Sequence, residues 1–123
     1  MPMWSPQILR TVDSTDDLHV APYREDGETP GTLIWVWSVV VHHSIFVRSA
    51  NPDSRWFAAA LRERAGIVRA ADYEGPVTFT PVTDEALKDK VDGAFVEKYT
   101  DAPYFSPDIL TKSRERIAQI DPA

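Results

Sequence analysis

The sequence predicts an α+β protein, with a small barrel-like sheet of about five or six mostly antiparallel strands and helices placed around it. Three observations predict this class. The uncharged run 33–41 is rich in β-branched and aromatic side chains, which favour a packed strand. Shorter apolar runs, separated by turn residues, lie on both sides of it. Serine–proline pairs at 5–6 and 106–107 are typical helix starts.

Length and composition indicate one domain over 1–123. The net charge of −6 argues against nucleic acid as a partner, and no apolar run approaches the roughly 20 residues that a membrane-spanning helix needs. The absence of cysteine excludes disulfides and cysteine-ligated metals. The N-terminus lacks the pattern of a signal peptide. We therefore expect a cytoplasmic protein that binds neither nucleic acid nor membrane.

The first half of the chain predicts a helix, then a weakly alternating strand, then a polar loop into the run 33–41. Both faces of that run are apolar, so we expect a central strand covered on both sides. A hairpin turn at His42 and His43 would lead to an antiparallel partner. In chain order, the predicted elements are a helix over 6–13, a strand over 18–23, a loop over 24–31, the strand 33–41 and its partner over 45–49.

In the second half, Asp53 or Ser54 can cap a helix that Gly66 would end. Residues at four-residue spacing along 84–99 form one apolar stripe, which predicts the longest helix. The tail 116–120 alternates and fits an edge strand, with a continuing helix as the competing interpretation. The remaining predicted elements are strands over 67–71 and 77–82 and a helix over 107–112.

One candidate phosphate site lies where a strand, a loop and a helix follow one another. A helix N-terminus presents unpaired N–H groups, and arginine adds fork-shaped donors. The alternative is an ordinary solvated loop with a helix cap. The candidate phosphate-binding residues are Arg48, Ser49, Asn51, Ser54 and Arg55.

Candidate acid/base and pocket residues lie elsewhere. The segment 23–26 combines a phenol, a guanidinium and two carboxylates, although a charged surface loop would look the same. Adjacent His42 and His43 point to opposite faces of a strand, so we expect no metal site. The catalytic candidates are Tyr23, Glu25, Asp26, His19 and Tyr99. The candidate pocket walls are Trp35, Trp37 and Trp56, which could equally be core.

Several separated blocks resemble one bacterial family, domain-of-unknown-function family 2255. They include the segment 17–27, the motif Trp35-Val36-Trp37-Ser38, the strand 46–49 and the segment 53–57, with a further match over 94–99. This family resembles the flavin-binding split barrels and the deazaflavin-dependent nitroreductases. The resemblance implies a split β-barrel of about six strands in which 116–120 is a strand. It also implies a homodimer whose strand–loop–helix unit holds a cofactor phosphate.

Three functions follow as expectations. The leading one is a flavin- or deazaflavin-dependent oxidoreductase acting on a small organic substrate, in which the cofactor supplies the chemistry. The second is a cofactor-free acid/base enzyme that condenses or cyclises an aromatic substrate. The third is a small-molecule-binding module without catalysis.

Overall fold

The fold is α+β, as predicted, and its sheet is a curled antiparallel half-barrel. A computed structural model describes residues 3–70, 72–103 and 105–123. The helices are α1 (Pro6–Ser14), α2 (Arg55–Glu63), α3 (Glu85–Tyr99) and α4 (Pro107–Ser113). The strands are β1 (Leu18–Pro22), β2 (Ile34–Trp35), β3 (Trp37–Val41), β4 (Ser44–Arg48), β5 (Ala65–Ala70), β6 (Tyr73–Pro81) and β7 (Ile117–Pro122). Ala71, the predicted end of one strand, lies outside the described residues.

The helix starts follow local side-chain chemistry. Ser5 and Ser106 cap α1 and α4, each followed by the proline that the sequence analysis used. Ser54 caps α2, because its hydroxyl accepts the Phe57 N–H at 3.3 Å. Asp84 caps α3 in the same way, accepting the Leu87 N–H at 2.9 Å.

The end of α2 differs from the prediction. Arg64, rather than Gly66, adopts the left-handed conformation after the helix, with φ of 57°. Gly66 instead lies in β5, where a Cβ would come within 2.6 Å of the Ala21 carbonyl oxygen. The glycine therefore allows close approach of β1 and β5 and does not end the helix.

The strand order is β2-β1-β5-β6-β7-β4-β3, and every pairing between strands is antiparallel. The prediction of β7 as an edge strand was wrong. Ile117 to Ile120 pair with β4 on one side and with β6 on the other. Ile117, Ala118 and Ile120 are buried, so β7 joins the two halves of the sheet.

The run 33–41 is not one central strand, and this expectation was also wrong. Val36 interrupts it, and the two parts become β2 and β3, which are the two end strands of the sheet. The Val36 N–H donates to the Leu18 carbonyl at 3.2 Å. Because only Val36 separates the strands at opposite ends of the order, the sheet must curl until those ends meet.

The apolar side chains form two clusters. One includes Val20, Val68 and Phe79, and it also takes side chains from α1 and α2. The other lies where α3 packs against β3, and it contains Phe95 and the rest of the predicted stripe. In the described part of the chain, no helix is long and apolar enough to cross a membrane.

Candidate small-molecule site

Three tryptophans from separate elements line one cavity of about 240 Å³, which we call the inner cavity. Trp35 comes from β2, Trp37 from β3 and Trp56 from the first turn of α2. Ser49 and Asn51 of the strand–loop–helix unit complete its wall. The three tryptophans proposed from the sequence as pocket walls therefore share one cavity, which lies at the meeting point of the two sheet ends.

A hydrogen bond and aromatic contacts fix the orientation of Trp35 and Trp37 in the cavity wall. The Trp35 indole N–H donates to the Asp16 carbonyl at 2.7 Å. Trp35 meets Trp37 edge-on, with ring centroids 6.4 Å apart, and Trp37 meets Phe95 in the same way at 5.4 Å. Edge-to-face contacts of this kind fix the ring planes.

Arg48 is buried beside the inner cavity, where Nε and Nη2 donate hydrogen bonds and Nη1 forms an ion pair with a carboxylate. Nη1 lies 2.8 Å from an Asp92 carboxylate oxygen. Nε donates to Ser113 Oγ at 2.7 Å, and Nη2 donates to the Leu110 carbonyl at 3.2 Å. The guanidinium also lies 5.1 Å from the centre of the Phe95 ring. Burial lowers the pKa of Arg48, while Asp92 opposes that shift. This arrangement is that of a structural arginine.

The loop after β4 uses its polar side chains for its own turns. Ser49 Oγ accepts the Asn51 N–H at 3.2 Å, and Asn51 Oδ1 accepts the Asp53 N–H at 2.9 Å. Ser54 Oγ is the cap of α2. Arg116, which the sequence analysis did not single out, donates to the carbonyl of Ser49 at 3.0 Å and holds the loop from outside. Arg48, Ser49 and Ser54 of the predicted phosphate site are therefore already engaged with protein partners.

A second cavity of about 740 Å³ lies between the end of β1 and one face of α2, and we call it the outer cavity. It shares Trp56 with the inner cavity. Tyr23, Arg24 and Glu25 lie on its β1 side, and Arg55 lies on its α2 side. Its remaining lining residues are Pro22, Gly31, Thr32, Ile34, Ala58, Ala59 and Arg62.

The structure therefore brings together candidates that the sequence left unconnected. Tyr23 and Glu25 were acid/base candidates, whereas Arg55 was a phosphate candidate, and all three line the outer cavity. Arg62 was missed. The signal for it was its position seven residues after Arg55, which places both on one helix face, but nothing in the sequence said that this face borders a cavity.

Asp26 closes a turn next to the outer cavity. Its carboxylate accepts the backbone N–H groups of Glu28 at 3.0 Å and Thr29 at 2.8 Å, and it also bonds the Thr29 hydroxyl. These hydrogen bonds, led by the Thr29 hydroxyl, lower the pKa of Asp26 to about 2. Asp26 is thus ionised at neutral pH and structurally engaged.

His19 and Tyr99 line neither of these cavities. His19 lies on β1 opposite Trp35, with Nδ1 3.6 Å from an Asp17 carboxylate oxygen. The buried Tyr99 hydroxyl donates to Asp16 Oδ1 at 2.5 Å and accepts the Ser38 N–H at 3.1 Å. Burial, and then the Asp16 carboxylate, raise the pKa of Tyr99.

Lys98 lies next to Tyr99 and joins three elements. Its Nζ donates to the Val12 carbonyl at the end of α1 and to the Ser38 carbonyl of β3, at 2.6 and 2.7 Å. Burial lowers the pKa of Lys98 to about 8. Both short bonds go to main-chain oxygens, so the role of this lysine is to fasten α3 to α1 and β3. Over the described ranges, no group of three or more His, Asp or Glu residues is placed to hold a metal ion.

Comparison with known proteins places the chain in a family. A family model described as an uncharacterised protein conserved in bacteria, DUF2255, matches residues 8–120. The chain therefore belongs to this family, as the resemblance predicted. Among curated proteins, none matches the sequence significantly.

Two solved structures share the fold. The conserved hypothetical protein Rv2991 from Mycobacterium tuberculosis is 17% identical, with a TM-score of 0.65 over 99% of this chain and 81% of its own. A proposed 5-nitroimidazole antibiotic resistance protein of Bacteroides thetaiotaomicron is 9% identical, with a TM-score of 0.65 over 99% of this chain and 82% of its own. Both likenesses confirm the split-barrel fold predicted from the sequence.

Proposed function

For this split-barrel member of the family, we propose that the protein binds a planar cofactor of the flavin or deazaflavin type and uses it to reduce a small organic substrate. One observation carries the proposal. Trp35 and Trp37 come from the two end strands of the sheet, and Trp56 comes from helix α2. All three line the inner cavity. Aromatic walls of this kind suit a flat conjugated ring.

The tryptophans of the inner cavity suit an aromatic ring better than the loop 49–54 suits a phosphate group. Trp56 borders both cavities, so a ring against it can extend into the larger outer cavity. A flavin or deazaflavin supplies hydride transfer when bound. The part left to this chain is to hold the ring and to exclude water around it. The fold likeness to a proposed nitroimidazole resistance protein supports a small organic substrate.

The test is a titration of purified protein with FMN and with a deazaflavin, followed by visible absorbance and fluorescence. We expect saturable binding of at least one of them. Trp56→Ala should weaken binding at least about tenfold, because it removes an aromatic wall, whereas the control Trp56→Phe should retain most of it. If neither cofactor binds the folded protein, the proposal is wrong.

A second candidate function is favoured by the placement of Tyr23 and Glu25 on one cavity. A phenol and a carboxylate facing one ligand can move protons without a cofactor. This candidate predicts turnover in protein free of flavin, with a pH profile that changes in Tyr23→Phe or Glu25→Gln. Binding without turnover would instead indicate a non-catalytic module. The homodimer stays a prediction, and light scattering of the purified protein would measure it.

A further inference from the structure

We propose that the outer cavity is an anion subsite, in which the arginines at 24, 55 and 62 bind the phosphate-bearing end of the ligand. The inference rests on the proposed function, since it assigns the polar end of the same ligand. It keeps Arg55 from the sequence prediction, and it replaces Arg48 and the loop residues Ser49, Asn51 and Ser54 by Arg24 and Arg62.

The three arginines reach the outer cavity from two sides. Arg55 and Arg62 are seven residues apart on α2, so they project from the same face about 10 Å apart along the axis. Ala58 and Ala59 lie between them and also line the cavity. Their small side chains leave the space between the two guanidinium groups open. Arg24 reaches the cavity from the β1 side.

The arginines that line the outer cavity have side-chain N–H groups without an acceptor among the described residues. The Arg55 side chain makes no hydrogen bond or ion pair with any other residue that the structure describes. Arg62 and Arg24 each use only Nε, toward Glu63 at 2.7 Å and toward the Pro30 carbonyl at 3.4 Å. Within the described ranges, their terminal nitrogens have no protein partner. Arg48, by contrast, has a hydrogen-bond or ion-pair partner at each nitrogen.

The lining of the outer cavity differs in charge from the chain as a whole. The chain carries a net charge of −6, yet its outer cavity is lined by three arginines and by one acidic residue, Glu25. The lining residues themselves are net positive, and the local charge becomes neutral only when Glu63, which pairs with Arg62, and Asp26, which closes the adjacent turn, are both included. Arginine donors in fork geometry recognise phosphate through paired, charge-assisted hydrogen bonds. A phosphate monoester or a pyrophosphate is therefore the group that this cavity would select.

The experiment uses inorganic pyrophosphate as the probe and the arginine Nε–H resonances in NMR as the readout. We expect saturable shifts at Arg55 and Arg62, and affinity at least about fivefold weaker in Arg55→Gln and in Arg62→Gln. Arg69→Gln, which removes an exposed arginine of β5, is the matched control and should bind as the wild type does. Glu25→Gln should bind more tightly, because it removes the opposing charge.

A second titration, with FMN and with riboflavin, separates this inference from the proposed function. We expect FMN to bind more tightly, and the difference to shrink in Arg55→Gln. Pyrophosphate binding at the arginines without any flavin binding would reject the cofactor and support the anion subsite. Equal affinity for FMN and riboflavin, absence of pyrophosphate binding, or shifts confined to the amides of 49–54 would overturn the anion subsite.

Discussion

Tyr99 belongs to a closed ring of contacts behind the inner cavity. Its hydroxyl donates to the Asp16 side chain, and the Asp16 carbonyl accepts the Trp35 indole N–H. Trp35 meets Trp37, Trp37 meets Phe95, and Phe95 lies 4.7 Å from Tyr99 between ring centres. A residue first considered as an acid or base thus has a positioning role: it holds the tryptophan wall.

We predict that Tyr99→Phe destabilises the fold by about 1–3 kcal/mol, because the buried Ser38 N–H loses its acceptor and Asp16 loses a donor. Denaturant unfolding measures the loss, and a shifted Trp35 emission should accompany it. The control is Tyr73→Phe, since the Tyr73 hydroxyl has no hydrogen-bond partner among the described residues. Equal stability of the two variants would contradict this role for Tyr99.

At the scale of elements, Arg48 connects β4 to two helices. It pairs with Asp92 of α3 and donates to Ser113 and Leu110 of α4. Its side chain is only 2% exposed, whereas the Asp92 side chain that it pairs with is 19% exposed. Asp92 also binds Arg114, with 2.6 Å between Nη1 and Oδ2, but the Arg114 side chain is 26% exposed.

We expect Arg48→Met to destabilise the protein by roughly 2–4 kcal/mol, since Ser113 and the Leu110 carbonyl lose their donor and Asp92 keeps only its contact with Arg114. Arg114→Met is the matched control, because it removes the other partner of the same carboxylate from a more exposed place. Its loss should be much smaller. Thermal and urea unfolding of both variants would test this, and a control variant that loses as much as Arg48→Met would refute the argument.

The elements themselves could be predicted because their signals are local. A serine followed by proline, or apolar residues four apart, determines a helix within a few residues, and α1, α3 and α4 appear as expected. The hairpin at His42 and His43 was equally readable, and both residues adopt positive φ there, at 51° and 66°. Strand order is different, because it depends on partners far away in sequence.

The candidate site also depends on partners that are far away in sequence, so only part of it could be predicted. Trp35, Trp37 and Trp56 were candidate pocket walls from their residue type, and they do line one cavity, although Trp35 and Trp37 lie in different strands. The order strand, loop, helix suggested Arg48 as a ligand residue, because nothing in that order tells which side chain is buried under α3. Arg62 was missed for the opposite reason, since an exposed helix face shows its neighbour only in the folded chain.

At the scale of the molecule, two non-local features determine the barrel. Val36 connects the strands at the two ends of the sheet, so the curl of the sheet is set at one residue of the run 33–41. β7 lies between β6 and β4 and pairs with both. Without β7, the strands β2-β1-β5-β6 and β4-β3 share no ladder within the described residues.

We therefore predict that a chain ending at Arg116 loses cooperative folding. It lacks the ladders from β7 to β4 and β6, and it lacks Ile117 and Ile120, which are 1% and 0% exposed and belong to the two different apolar clusters. Without the ladders of β7, the strands β2-β1-β5-β6 and β4-β3 are no longer hydrogen-bonded into one sheet, so the two parts should not unfold as one unit. Near-ultraviolet circular dichroism during heating would show no sharp transition.

The control is a chain lacking only Ala123, which gives up a single backbone hydrogen bond to Pro76 and should unfold cooperatively near the wild-type temperature. A sharp, wild-type-like transition in the shorter chain would mean that the two halves of the sheet are held together by α1 and α3 and not by β7.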